Sequence, residues 1–73
     1  MRIALVGYGK MGKIIHQIAL KRGHDVVATL DETPTVEKLN SPDVVIEFSS
    51  PESAFSNIKF CLENKIPVVA GTT

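Results

Sequence analysis

Cysteine is nearly absent from this 73-residue sequence: Cys61 stands alone. A single thiol excludes an internal disulfide, and no cluster has the spacing of zinc ligands. A reducing cytosolic setting is therefore permitted. Net charge is also missing, because eight Lys and Arg balance eight Asp and Glu with no run of one sign. That balance argues against a nucleic-acid or anionic-membrane surface. No apolar run approaches the length of a membrane span. The four apolar residues after Met1-Arg2 are too few for the core of a signal peptide. Repeats and low-complexity segments are lacking too. The length allows one small domain or a piece of a larger one, and such a chain hides only about 60% of its unfolded surface on folding.

What remains is an alternation of strand and helix signals. Ile3 to Val6 is a short branched apolar run stopped by Gly7, the pattern of a strand buried on both faces. From Met11 to Arg22 the period becomes helical, with Met11, Ile14, Ile15, Ile18 and Ala19 on one stripe. Lys21 and Arg22 suit the end of that helix, and Gly23 suits a left-handed cap. Val26 to Leu30 reads as a second strand, ending at Asp31. The polar stretch 32–42 has room for one helical turn, Val36 to Leu39. Val44 to Phe48 is a third strand. Ser50-Pro51 looks like a cap and first turn, and Ala54, Phe55, Ile58, Cys61 and Leu62 give the next helix an apolar face. Asn64-Lys65 closes that helix, and Pro67 to Ala70 is a fourth strand ending at Gly71. Strands alternating with helices predict a parallel sheet with right-handed crossovers.

The segment Gly7-Tyr8-Gly9-Lys10-Met11-Gly12 has the form G-x-G-x-x-G between a strand and a helix. Asp31 ends the second strand 19 positions after Gly12, which completes the context a dinucleotide fingerprint needs. Gly7 permits the sharp turn, Gly9 keeps a side chain away from a pyrophosphate, and Gly12 lets the helix pack close to the strand. The helix start offers amides and partial positive charge to phosphates. Asp31 is placed to accept from the adenosine ribose hydroxyls and to repel a 2′-phosphate, which favours NADH over NADPH. Lys10 in the loop keeps use of both cofactors open. Eleven residues, 32–42, are too few for a further helix, strand and helix. The third strand therefore crosses back beside the first. The expected fold is a partial doubly wound α/β domain, Rossmann-like, with strand order 2-1-3-4 and helices on both faces. The loop Phe48-Ser49-Ser50-Pro51 then lies over the crevice at the topological switch point.

Together, the loop ending "KMG", the segment "DVVIEFSSPES" and the terminal "VVAGTT" resemble the dihydrodipicolinate reductase family over essentially the whole chain. Many members have one more residue in the glycine loop and an arginine before Met-Gly, where this chain has Lys10. The short linker 32–42 is similar to that of compact members. The resemblance implies a cytoplasmic oxidoreductase of lysine and diaminopimelate biosynthesis, in which NAD(P)H reduces a cyclic unsaturated dicarboxylate. It implies that Gly7 to Gly12 hold the pyrophosphate and Asp31 the ribose. Gly71, Thr72 and Thr73 match a G-T-T stretch beside the nicotinamide; Phe48 and Ser49, in the loop over the crevice, are further cofactor-binding candidates. It also implies a homotetrameric parent whose substrate-binding histidine motif and lysine lie in a second domain. Residues 1–73 carry no such motif, so they are expected to be the cofactor-binding part and inactive alone. Two other readings use the same half-domain: a non-catalytic NAD-sensing module, or another NAD(P)-dependent dehydrogenase.

Other residues have plainer expectations. His16 and His24 read as surface residues, and Cys61 as a core residue. Tyr8 and Phe48 either line the cofactor cleft or pack beneath it. Glu47, a carboxylate in a buried strand, is expected to hydrogen-bond near the crevice without a catalytic role.

Overall fold

The computed structural model describes residues 1–71. Thr72 and Thr73, expected at the nicotinamide end, lie outside the described residues. In chain order the elements are β1 (Arg2–Val6), α1 (Lys10–Lys21), β2 (Asp25–Leu30), α2 (Val36–Leu39), β3 (Val44–Glu47), α3 (Pro51–Glu63) and β4 (Val68–Ala70). The sheet order is β2-β1-β3-β4 and every pairing is parallel. The expected topology is therefore the observed one. No strand intervenes between β2 and β3 among the described residues.

Strand alternation splits the core between the two faces of the sheet. Ile3 and Leu5 of β1 meet Ala19 and Ile15 of α1, with Val44 and Ile46 of β3 beside them. Ala4 and Val6 point the other way, toward Leu39 of α2, Cys61 of α3 and Val45 of β3. Leu5, Val6, Leu39 and Val45 are fully buried, and each such side chain contributes about 1.5–3 kcal/mol by leaving water. β2 changes face partway along. Its register with β1 slips between Ile3 and Ala4, so that Ile3 pairs with Val26 but Ala4 with Ala28. The extra residue, Val27, lets Val26 serve the α1 face while Ala28 and Leu30 serve the other. The Asn40 side-chain amide donates to the Val27 carbonyl at 3.1 Å.

The linker 32–42 is short but well fastened. The Thr35 hydroxyl accepts from the Lys38 amide, and α2 ends at Asn40 in the left-handed region, φ 60°. The Arg2 guanidinium donates to the carbonyls of Asn40 and Ser41 at 2.6 and 2.9 Å, and the Arg2 amide donates to Asp43.

Two helix faces differ from the expected ones. On α1, Gly12, Ile15 and Ala19 face the sheet, whereas Met11, Ile14 and Ile18 are about half exposed. The contact of Gly12 with the Gly7 backbone sets the helix rotation, and a stripe counted on side chains alone misses it. On α3, the buried stripe is Ala54, Asn57 and Cys61, while Phe55 and Leu62 are exposed. There the buried carboxylate of Glu47 draws Asn57 inward. Helix ends agree better with expectation. Gly23 follows α1 at φ 81°, and Ser50 caps α3 ahead of Pro51.

Cys61 is fully buried, and burial first, then the charge of Glu47, pushes its thiol above the ordinary value of 9.0. A raised pKa means the unfolded chain releases this proton before the folded chain does. Stability is then fully present below the ordinary thiol pKa and is lost as pH rises through the folded value. Urea midpoints measured from about pH 8 to about pH 10.5 should fall for the wild type. Cys61→Ala should start lower and decline less steeply; equal slopes would show that the folded thiol ionises as easily as the unfolded one.

Candidate functional site

The carboxyl ends of β1 and β3 open into a cleft of about 460 Å³, within the usual range for a small-molecule site. The cleft lies where the connections from neighbouring strands depart in opposite directions, the switch point of an α/β sheet. Ladder hydrogen bonds run into its walls. The Gly7 amide donates to Leu30 O at 2.6 Å, Phe48 to Val6 O at 2.8 Å, and Gly71 to Glu47 O at 2.7 Å.

The glycines of this region divide into two kinds. Gly7 has φ 93°, and a β-carbon there would lie 2.9 Å from the Phe48 carbonyl carbon and the Ser49 nitrogen. A β-carbon on Gly12 would lie 2.5 Å from the Gly7 oxygen, and one on Gly71 would strike the Phe48 ring. These positions are glycine because the protein's own atoms leave no room. Gly9 is different. It lines the cleft at negative φ, −82°, and a β-carbon there would meet nothing within 4 Å. It also precedes α1, whose start has no side-chain cap. The amides there remain directed at whatever occupies the space ahead of them.

Asp31 stands on the rim at the end of β2. Its Oδ1 accepts from the Tyr8 amide at 2.6 Å, so the carboxylate is tied to the middle of the glycine loop. Glu32 follows on the same rim and is ion-paired with Lys38. Both partners are about half exposed, which limits the pair to a few tenths of a kcal/mol, up to about 1. Phe48 and Ser49 form the opposite wall, with Ser50. Lys10 and Met11 occupy the exposed first turn of α1, and neither lines the cleft. Gly12 and Gly71 sit behind the walls as packing contacts.

Beneath Ser49 lies a fully buried carboxylate. Glu47 accepts from the Asn57 amide at 2.7 Å, from the Ser49 backbone amide at 3.2 Å, and from the Ser49 hydroxyl. Asn57 also donates to the Ser49 hydroxyl oxygen at 3.2 Å. No buried side-chain polar atom lacks a partner among the described residues. The expected hydrogen bonding of Glu47 near the crevice is observed, but Asn57 and Ser53 on the cleft floor escaped the sequence reading. The signal for Asn57 was its spacing, since it shares a stripe with Ala54 and Cys61. His16 is also more than a surface residue. It is half-buried, and its Nδ1 is hydrogen-bonded to the Tyr8 hydroxyl at 2.6 Å. The buried, protonated thiol of Cys61 is no nucleophile. Among the described residues no group of His, Cys, Asp and Glu is arranged to hold a metal ion, and no helix is long and apolar enough to cross a membrane.

A family model described as dihydrodipicolinate reductase, N-terminus, matches residues 1–73. The chain is 48% identical over 75 residues to a 4-hydroxy-tetrahydrodipicolinate reductase of Christiangramia forsetii, covering 100% of this chain and 31% of that protein. Proteins of the same name from Thermosipho africanus and an Exiguobacterium species are 32% and 34% identical, again over the whole chain and 34% and 32% of their own lengths. The chain thus spans about a third of the length of the curated relatives it matches.

The two kinds of glycine separate in a stability measurement. Gly12→Ala forces the Gly7 carbonyl and α1 apart and should cost about 1–3 kcal/mol. Gly9→Ala meets no steric clash and loses only the N-cap preference of glycine over alanine, so it should cost less, about 0.5–1 kcal/mol. Denaturant unfolding of both variants checks this; equal losses would mean that Gly9, too, serves the fold.

Proposed function

The chain belongs to the dihydrodipicolinate reductase N-terminal family, and from that premise we propose that its cleft holds the nicotinamide dinucleotide of a reductase reaction. One observation carries the reading. Gly9 opens onto empty space at the uncapped start of α1, where no protein atom requires a glycine. A pyrophosphate needs that combination of clearance and amides. In this reading Gly7, Tyr8, Gly9, Lys10, Met11 and Gly12 form the phosphate loop. Lys10 and Met11 take part through the first turn of α1 rather than as cleft walls.

Asp31 receives the adenosine ribose. Its Oδ1 is held by the Tyr8 amide, which leaves Oδ2 for a ribose hydroxyl. Two carboxylates, Asp31 and Glu32, line this end of the cleft, so a 2′-phosphate meets like charge and NADH is preferred. Lys38, paired with Glu32, softens that repulsion and keeps NADPH as a weaker ligand. Phe48 and Ser49 face the nicotinamide end, with Gly71 packed behind the Phe48 ring; Thr72 and Thr73, outside the described residues, are assigned to the same end by the family's G-T-T stretch. When bound, the cofactor supplies a hydride, and in the whole enzyme its acceptor is a cyclic dicarboxylate of lysine and diaminopimelate biosynthesis. The groups that hold that acceptor belong to a substrate domain outside these residues. Residues 1–73 therefore bind cofactor without turnover, and the parent acts as a cytoplasmic homotetramer.

Calorimetric titration of this chain with NADH and NADPH tests the assignment. NADH should bind saturably and more tightly than NADPH. Asp31→Ala should weaken NADH by about tenfold, the worth of a hydrogen bond to a charged group, and narrow the gap between the cofactors. Gly9→Ala should abolish binding of both while remaining folded. A folded wild-type chain that binds neither cofactor would sink the proposal.

A further inference from the structure

Resting on the reading of Asp31 as the ribose ligand, we propose that His16 is a positioning residue for cofactor binding. It acts through Tyr8: the His16 imidazole anchors the Tyr8 phenol, and the anchored Tyr8 holds the amide that orients Asp31.

The geometry makes Tyr8 a two-ended link. Its backbone N–H donates to Asp31 Oδ1 at 2.6 Å, and its hydroxyl meets His16 Nδ1 at 2.6 Å. The rings pack edge to face, with centroids 5.6 Å apart and planes at 63°. The second bond survives either imidazole tautomer. With the proton on Nε2 the phenol donates to Nδ1, and with the proton on Nδ1 the ring donates to the phenol oxygen.

The loop needs such an anchor because of its composition. Tyr8 lies between Gly7 and Gly9, which have no side chains to pack and the widest choice of backbone conformations. The Tyr8 ring is thus the only side chain within residues 7–9. Its Cδ1 sits 3.5 Å from where a β-carbon on Gly12 would be. Its hydroxyl reaches His16, one helical turn further along α1. The ring therefore lies along the helix, spanning roughly its 5.4 Å pitch. Gly12 leaves room for it, and His16 terminates it. Since His16 does not line the cleft, its influence on a ligand passes through Tyr8 and Asp31.

Amide hydrogen exchange by NMR on this chain tests the link without any ligand. Tyr8→Phe and His16→Phe should each speed exchange of the residue-8 amide by about fivefold or more. The Gly7 amide, bonded to Leu30 O, should not change and serves as the internal control. His16→Asn, which offers an acceptor near the Nδ1 position, should keep the protection within about twofold. Unchanged exchange at residue 8 in both phenylalanine variants, or equal acceleration at Gly7, overturns the proposal. NADH titration then tests the consequence. His16→Phe should weaken binding by about three- to tenfold, with no further loss in an Asp31→Ala background, because a group acting through Asp31 has nothing to act on there. Additive losses overturn the role assigned to His16. Accelerated exchange with unaltered NADH affinity overturns the positioning role, whereas unaltered affinity in Asp31→Ala itself refutes Asp31 as the ribose ligand.

Discussion

The structure depends on one close approach. Three backbone segments converge at the carboxyl edge of the sheet: the turn after β1, the start of α1 and the exit from β3. Gly7 lies against the Phe48–Ser49 peptide, and Gly12 lies against the Gly7 carbonyl. A single added carbon at either site would push these segments apart. Their convergence sets the rotation of α1, hence which of its residues meet the sheet, and it brings the Phe48–Ser49 wall opposite the glycine loop. Gly71 extends the same constraint to the end of β4 by lying against the Phe48 ring. The cleft is the space left over once these contacts are made, and Gly9 is the one loop glycine that faces it rather than the protein.

Much of this was legible in the sequence, because the relevant signals are local. The strand runs, the cap at Ser50 and the left-handed Gly23 each follow from residues close together in the chain. The strand order followed from a length argument, since 32–42 is too short to add another strand. What could not be read are features set by distant partners. Arg2 and Asn40 are some forty positions apart, and only the folded chain brings that guanidinium to the carbonyl. Asn57 is buried because Glu47 is, so its polarity misled the choice of face on α3. Met11, Ile14 and Ile18 form a regular stripe, yet Gly12 turns it away from the sheet. His16 gained its partner from a loop whose path the periodicity of the helix does not encode.

The electrostatics of the rim follow from where β2 ends. Asp31 and Glu32 leave the strand together and bring two carboxylates to the mouth of the cleft. They are not equivalent. Asp31 is committed to the loop amide, whereas Glu32 reaches across to Lys38 on α2. The short helix thus has a use beyond burying Leu39: it carries a cation to the side of the cleft that is otherwise acidic.

Glu47 has a bearing on how the chain assembles. Its partners, Ser49 and Asn57, come from the ten residues that follow it. Were α3 to peel away while β3 stayed paired, the carboxylate would lose the Asn57 amide and the cover that buries it in one step. These bonds tie the end of β3 and the middle of α3 into one hydrogen-bonded unit. The wall of the cleft that carries Ser49 belongs to that unit, so it inherits the rigidity of the core beneath it rather than the looseness of a loop.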